Sequence, residues 1–138
     1  MALTDVEILD LPRINDPRGN LSFIENGARC LPFDIARVYW VYDVPGGCVR
    51  HGHAFYSTNE LIVALSGSFD VVLSDGREQR RIHLSRSYTG VYVPAMTWRE
   101  LDNFSTNSVA MVLASSLYDE LDYIRDFELY KTLIENGD

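Results

Sequence analysis

The sequence predicts an all-β fold, either a barrel or a sandwich of short strands. Runs rich in β-branched and aromatic residues recur along most of the chain. Glycine, proline, asparagine and aspartate mark turns between these runs. Short strands at even spacing, separated by turn signals, are typical of β-barrels and β-sandwiches. Only the C-terminal tail departs from this pattern.

Length and composition fit one folded domain over residues 1–138. An apolar content of 46% is normal for a globular protein with a core, and no stretch approaches the ~20 apolar residues of a membrane helix. The N-terminus lacks signal-peptide features and two cysteines make no disulfide framework, so we expect a cytoplasmic protein with no membrane partner. A net charge of −8 argues against nucleic-acid binding, although local arginines could bind one diphosphate.

The first third of the chain predicts an edge strand, a turn and two further strands. Residues 6–9 form the edge strand, and the polar cluster at 15–20 forms the turn. Arg18 at its tip is either a solvated loop residue or a substrate-facing arginine, because loops on rigid scaffolds often carry function. Residues 21–25 read as a strand beside this turn, and residues 35–44 are the strongest strand of the chain.

Alternation along the strand at 35–44 separates two faces. Tyr39, Val41 and Asp43 share one face, whereas Val38, Trp40 and Tyr42 share the other. One face must line the interior of a barrel, which makes Tyr39 a candidate pocket residue.

The middle of the chain predicts paired strands. Residues 61–65 and 69–74 are joined by a Ser-Gly-Ser turn, and Asp75-Gly76 predicts a tight hairpin into residues 77–84. His83 alternates with its apolar neighbours, so we expect it to be structural or solvated on the opposite face.

The end of the chain predicts one more strand and a helix. Residues 109–114 are the last central strand. Residues 118–134 have helical spacing of apolar side chains, and Asp119 and Glu120 suit a helix N-terminus. We expect this helix to pack on the barrel.

Residues 47–67 carry a first spaced motif. Glycine is followed after five residues by His53, then by Phe55, then by Glu60, and the segment closes on a Ser-Gly turn. This spacing resembles the first motif of the cupin barrel, with Phe55 where a second histidine usually stands. The resemblance implies a cupin, that is, an RmlC-like jelly-roll barrel with a short C-terminal helix.

Residues 90–103 resemble the second cupin motif. Pro94 and Asn103 are in register, whereas Met96 replaces a glycine and Arg99 replaces a histidine. A cupin metal site typically uses three histidines and one glutamate, and this chain keeps only two of these four ligands. Because Phe55 has no lone pair and Arg99 is a permanent cation, we expect no metal and no cofactor. Arg99 would suit an anionic substrate or a developing enolate.

Several segments together resemble one cupin family, the WxcM-like or FdtA-like sugar 3,4-ketoisomerases. These segments are residues 37–45, 50–53, 65–71, 93–98, 113–115 and 118–125, and the Tyr-Asp-Glu-x-Asp-Tyr-Ile-Arg run in the last is the most specific. The resemblance implies a metal-free isomerase, usually a homodimer. It implies conversion of dTDP-4-keto-6-deoxyglucose to a 3-keto sugar in deoxyamino-sugar synthesis, for glycans such as lipopolysaccharide or S-layer glycan.

The resemblance also implies roles for individual residues. The family motif Arg-Gly-x-His-Ala-His places its first histidine at His53 and its second at Phe55, while His51 falls on the family's glycine. We expect His53 to act as the base. His51 is the second expected catalytic residue: if the strand is regular it would reach the same cavity, where it could shuttle a proton or hold the hydroxyl, and otherwise it is a solvated loop residue. Arg18, Tyr39, Glu60 and Arg99 are the expected substrate-binding residues, with Glu60 able to orient an imidazole.

Two other functions compete with the ketoisomerase. The first is another metal-free activity on sugar nucleotides, such as an epimerase. The second is a non-catalytic cupin that binds a nucleotide sugar, because the loss of the second family histidine could leave a dead enzyme. A metal-dependent cupin oxygenase is a weaker alternative.

Overall fold

The computed structural model describes residues 3–27 and 31–137, and the side chain of His51 also lies outside the described part. Its strands and its helix are β1 (Glu7–Asp10), β2 (Arg13–Ile14), β3 (Leu21–Ser22), β4 (Arg37–Val41), β5 (Arg50–Phe55), β6 (Glu60–Ser66), β7 (Phe69–Ser74), β8 (Gln79–Leu84), β9 (Thr89–Val93), β10 (Trp98–Asp102), β11 (Val109–Ala114), β12 (Tyr123–Ile124) and α1 (Phe127–Gly137). That residues 1–138 form a single domain stays a prediction.

Two five-stranded antiparallel sheets make up the barrel. Sheet A has the order β1-β9-β6-β11-β4, and sheet B has the order β12-β5-β10-β7-β8. A separate hairpin pairs β2 with β3. Strands that are distant in sequence lie side by side in both sheets, as in a jelly roll. The predicted all-β jelly-roll barrel with a short C-terminal helix is confirmed.

The main core lies between the two sheets. Ile62 and Ala64 of sheet A pack in one cluster with Val71 and Leu101 of sheet B, and all four are almost fully buried. The outer face of sheet A is partly covered as well, because Leu11 and the segment from Leu31 onward pack there in a second cluster. Central strands therefore read as continuous apolar runs, as strands buried on both faces do.

The strand predictions are largely confirmed. β1 is the edge strand of sheet A, and Tyr39 faces the core while Trp40 is 59% exposed on the outside. His83 lies opposite the buried Ile82 and Leu84, as predicted. The strands predicted at 21–25 and 35–44 are shorter in the structure, ending as β3 and β4.

The prediction of one helix over residues 118–134 is wrong in its first half. Helix α1 begins at Phe127, where the Asp126 carboxylate accepts hydrogen bonds from the backbone N–H groups of Glu128 and Leu129. The preceding residues form a 3-10 turn capped by Asp119 and then strand β12, which pairs with β5. The sheet edge of β5 outcompetes the local helical pattern here, because pairing satisfies backbone groups that would otherwise face solvent.

Helix α1 packs on the outer face of sheet B. Tyr130 is fully buried against Trp98, and its hydroxyl donates to the carbonyl oxygens of Ser74 and Met96. Within the described ranges, no helix is long and apolar enough to cross a membrane.

Candidate active site

Three neighbouring strands of sheet B bring four candidate side chains to one interior face. In β10, Arg99 alternates with Trp98 and shares its face with Leu101, which lies in the main core. Arg99 is in register with His53 of β5, and Phe55 is in register with Tyr123 of β12. His53, Phe55, Arg99 and Tyr123 therefore line the interior at one end of the barrel.

Sheet A supplies a carboxylate and a phenol that meet Arg99. The Nε of Arg99 donates to Glu60 Oε1 at 3.1 Å, and its Nη2 donates to the Tyr39 hydroxyl at 2.7 Å and to Glu60 Oε2 at 3.4 Å. The Tyr39 hydroxyl in turn donates to Glu60 Oε2. Glu60 and Arg99 are 1% and 5% exposed, so this is a buried ion pair that links the two sheets.

The charges of this group fix its protonation. Burial alone would lower the pKa of Arg99, but the Glu60 carboxylate and Tyr39 raise it above its ordinary value, so the guanidinium stays charged. Burial, and to a smaller extent the Glu60 carboxylate, raises the pKa of Tyr39, which keeps its phenol protonated. The second terminal nitrogen of Arg99, Nη1, donates to no residue that the structure describes.

His53 is buried without a hydrogen-bond partner. It is 8% exposed, its Nε2 is shielded from solvent, and neither ring nitrogen bonds to a described residue. Its ring lies edge-on to Phe55 at 4.8 Å and to Tyr123 at 5.1 Å between centroids. Burial and then the charges of nearby arginines, Arg99 foremost, lower the pKa of His53 to about 2. The imidazole is therefore neutral and has a lone pair to offer.

Several arginines lie close enough to His53 to influence its charge. Arg37, Arg50 and Arg125 all contribute positive potential at His53 besides Arg99. The guanidinium of Arg37 lies 5.3 Å from the Tyr39 ring, and its buried Nε has no partner among the described residues. Such a cluster in a chain of net charge −8 is a local anion-binding feature.

A strap of residues 118–125 closes one side of the site. Asp122 holds it to the β5–β6 loop, because its carboxylate accepts from the backbone N–H and hydroxyl of Ser57, both at 2.9 Å, and from the Thr58 hydroxyl. Arg125 donates to both oxygens of Glu120 at 2.8 and 3.0 Å and lies over the Tyr123 ring at 4.2 Å. The strap thus places Tyr123 against His53 with several anchors.

The assumption of a regular strand at His51 is wrong. The pairing of β5 with β10 is irregular. Arg99 pairs with His53, and Leu101 pairs with Arg50, so two residue steps along β10 correspond to three along β5. Gly52 lies in this bulge, and a Cβ there would come within 2.3 Å of the Arg99 carbonyl oxygen, so only glycine fits. Simple alternation therefore does not carry from His53 to His51, whose side chain is not described.

Two other expectations for site residues differ from the structure. Glu60 does not orient His53, because both its carboxylate oxygens are bound by Arg99 and Tyr39. Arg18 is not part of this group either. It lies on the β2–β3 hairpin with its side chain 90% exposed and ion-paired to Asp16 at 2.9 Å.

The sequence reasoning missed Tyr123, Arg37 and Arg125 as site residues. Tyr123 and Arg125 lie in a segment that was predicted to be helical. Its pairing with β5 as a strand could therefore not be inferred from the sequence. Arg37 is the first residue of β4 and lies two residues before Tyr39. Strand alternation therefore already indicated that Arg37 shares the inner face with Tyr39.

The donor set of the site does not resemble a metal centre. Among residues 3–27 and 31–137, apart from the His51 side chain, no three His, Cys, Asp or Glu side chains converge. The face that would carry cupin ligands holds Phe55 and the guanidinium of Arg99, which is bound to the Glu60 carboxylate. An arginine and a phenylalanine cannot donate lone pairs, so these residues fit a metal poorly.

Comparisons with known proteins agree on one family. The family described as FdtA: WxcM-like, C-terminal, matches residues 4–135. A TDP-4-oxo-6-deoxy-alpha-D-glucose-3,4-oxoisomerase of Aneurinibacillus thermoaerophilus is 39% identical over 128 residues, which are 93% of this chain and 91% of that protein.

Solved structures give the same result. A 3,4-ketoisomerase from Helicobacter canadensis is 36% identical with a TM-score of 0.91, over 95% of this chain and 98% of the other. A variant of the 3,4-ketoisomerase QdtA from Thermoanaerobacterium thermosaccharolyticum, solved with TDP-4-keto-6-deoxyglucose, is 32% identical with a TM-score of 0.92, over 98% and 97% of the two chains.

Proposed function

The chain belongs to the FdtA, or WxcM-like, family of sugar 3,4-ketoisomerases, and from this premise we propose that its substrate is dTDP-4-keto-6-deoxyglucose. The family and the isomerase activity predicted from the sequence are confirmed. The proposed reaction moves the keto group from C4 to C3 through an enediol. It serves deoxysugar biosynthesis.

The observation that carries this proposal is the buried, neutral and unpartnered imidazole of His53. Removing the C3 hydrogen requires a base with a free lone pair, and His53 has two unengaged ring nitrogens and a pKa lowered to about 2 by burial and then by arginine charges. A bound diphosphate would offset those arginine charges. Substrate binding would therefore remove the arginine contribution to the lowered pKa of His53, while the larger contribution of burial remains.

Arg99 is the proposed stabiliser of the enediolate. Its Nε and Nη2 are held by Glu60 and Tyr39, which leaves Nη1 to donate to an oxygen of the sugar. Because Glu60 fixes the guanidinium before substrate arrives, the donor costs little reorganisation during the reaction. Removing a donor of this kind typically slows catalysis about 10²–10³-fold.

Three arginines near His53 form the proposed diphosphate site. Arg37, Arg50 and Arg125 each place positive potential near His53, and the Arg37 guanidinium keeps an unpartnered nitrogen. A diphosphate is a compact dianion or trianion that planar guanidinium groups bind through paired hydrogen bonds. We do not assign a metal or other cofactor to this reaction, and metal analysis of the purified protein would test that choice.

The roles of His51 and Arg18 rest on the sequence alone. We retain His51 as a proposed ligand of a sugar hydroxyl, because it lies two residues before the base. We retain Arg18 as a proposed substrate-binding residue that acts across a subunit interface, since it does not reach the site of its own chain.

We propose a homodimer formed through the outer face of sheet A. Val38, Trp40 and Leu65 are 45–59% exposed on this face, and with Met111 they line a shallow groove. A neighbouring groove is lined by Arg13 and Asn20 of the β2–β3 hairpin, so a partner seated there would adjoin the segment that carries Arg18. Light scattering should give twice the chain mass, and Trp40→Lys should yield a monomer. A monomeric wild type would contradict the dimer.

A cytoplasmic location is the remaining proposal. It rests on the sparse cysteines and on a substrate that is a nucleotide sugar. Fractionation of cells that produce the protein would test it, and recovery in a secreted fraction would contradict it.

The proposed function is tested by proton NMR of the purified protein with dTDP-4-keto-6-deoxyglucose. We expect a new 3-keto sugar nucleotide, formed without added metal. Exchange of C3 or C5 without transfer of the ketone would instead indicate an epimerase. Binding without any proton exchange would indicate a non-catalytic sugar-nucleotide protein.

A further inference from the structure

The proposed isomerisation needs an acid that protonates C4 as well as a base that removes the C3 proton, and His53 is the proposed base. We propose that Tyr123 is a further catalytic residue, the acid that delivers the proton to C4. This inference rests on the proposed function. Tyr123 belongs to the strap 118–125.

Geometry places Tyr123 beside the proposed base. The rings of Tyr123 and His53 are 5.1 Å apart between centroids, and Tyr123 packs on Phe55 at 4.6 Å. Its register with Phe55 directs its side chain to the interior face that also carries Arg99. The hydroxyl of Tyr123 bonds to no residue in the described part of the chain, so it has a proton to offer to a ligand.

The other groups around His53 cannot deliver this proton. The Tyr39 hydroxyl already donates to Glu60 and accepts from Arg99. The guanidinium of Arg99 stays charged in its ion pair with Glu60, and Phe55 has no exchangeable proton. Among the side chains that the structure describes in contact with His53, Tyr123 alone has an uncommitted O–H group.

Cations would stabilise the phenolate that Tyr123 becomes. The Arg125 guanidinium lies 4.2 Å above the ring, and negative charge on Tyr123 interacts favourably with both Arg125 and Arg99. Asp122 and Glu120 hold the strap and Arg125 in place. The developing charge therefore forms next to fixed positive groups, which is how a weak acid is made effective.

The proton transfers balance without any further reactant. His53 takes the C3 hydrogen as a proton, and the electrons of that bond form the C3–C4 double bond of the enediolate. The C3 hydroxyl passes its proton to the C4 oxygen as the C3 carbonyl forms, and the C4 carbon takes the proton of the Tyr123 hydroxyl. The imidazolium of His53 then returns its proton to the Tyr123 phenolate, which restores both groups.

The test compares Tyr123→Phe with Tyr56→Phe. The first removes one hydroxyl from the site. The control removes an exposed hydroxyl from the next residue after β5, which has no role in the site. We expect Tyr123→Phe to keep its melting temperature and TDP affinity but to lose about 10²–10⁴-fold in kcat, the usual contribution of a general acid. Tyr56→Phe should match the wild type.

Isotope effects separate an acid from a residue that merely positions His53. If Tyr123 is the acid, C4 protonation limits Tyr123→Phe, so its rate is sensitive to deuterated solvent and insensitive to deuterium at C3. If the rate of Tyr123→Phe is still lowered by deuterium at C3, or if its kcat is close to that of the wild type, the inference is overturned. If the wild-type protein itself forms no 3-keto product, the proposed function fails instead.

Discussion

Two histidines of sheet B lie in opposite environments. His83 is on the outer face of β8, with its side chain 54% exposed and its Nδ1 2.6 Å from Asp70, its cross-strand partner. His53 is on the inner face of β5, buried, with both ring nitrogens unpaired among the described residues. A solvated and paired histidine needs no further explanation, whereas a buried unpaired one is costly and is typical of functional sites.

The partners of the two histidines extend this contrast. Asp70 is bound by His83, Arg81 and Asn103, and Arg81 also binds Asp102, so the outer network satisfies its own charges. Around His53, Arg99 is paired with Glu60 and Arg125 with Glu120, whereas no described carboxylate pairs with Arg37 or Arg50. The first network pairs a buried carboxylate with partly exposed cations, whereas the excess of like charge at the second would attract an anion.

The largest expected effect is the loss of activity in His53→Asn. Removing the base should lower kcat at least about 10²-fold. The melting temperature should change little, because no hydrogen-bond partner is orphaned. The matched variant His83→Asn should keep wild-type activity, as measured by NMR of ketone transfer. Equal activities in the two variants would show that catalysis depends on His53 no more than on His83.

Arg99→Met should produce the largest loss of stability. It leaves Glu60 charged and buried without its partner, a change that typically costs about 3–5 kcal/mol. Urea unfolding should show this loss, and the double variant Arg99→Met/Glu60→Gln should recover much of it. If the single and double variants are equally stable, the ion pair does not have the strength that its burial indicates.

The free energy of folding should depend on pH because His53 is buried. Burial and then arginine charge lower the folded-state pKa of His53 from the ordinary 6.5 to about 2, so below pH 6.5 the unfolded chain binds a proton that the folded protein does not. Folding free energy is therefore lost as the pH falls. Between pH 7 and pH 5, wild type should lose about 2 kcal/mol more than His53→Asn.

The sequence was sufficient for the barrel and for half of the site. Turn pairs and alternation gave the strands, because both are local signals. The cupin spacing identified Glu60 and Arg99, and strand alternation identified Tyr39; the structure joins all three by hydrogen bonds.

The rest depended on contacts distant in sequence. The segment at 118–125 has helical spacing, but it forms a strap because β12 pairs with β5 and because Asp122 accepts hydrogen bonds from Ser57 and Thr58. The bulge at Gly52 arises from close approach of β10, which no local pattern reveals. Both features lie beside His53, so the sequence located this histidine but not the strap and the bulge next to it.

The measurement that tests the central claim most directly follows the C3 proton of dTDP-4-keto-6-deoxyglucose by proton NMR in D₂O. Wild type and His83→Asn should lose the C3 proton signal as the 3-keto product forms, with deuterium at its C4. His53→Asn should leave the C3 signal intact. Rapid loss of the C3 proton in His53→Asn would show that another residue is the base and would contradict the account.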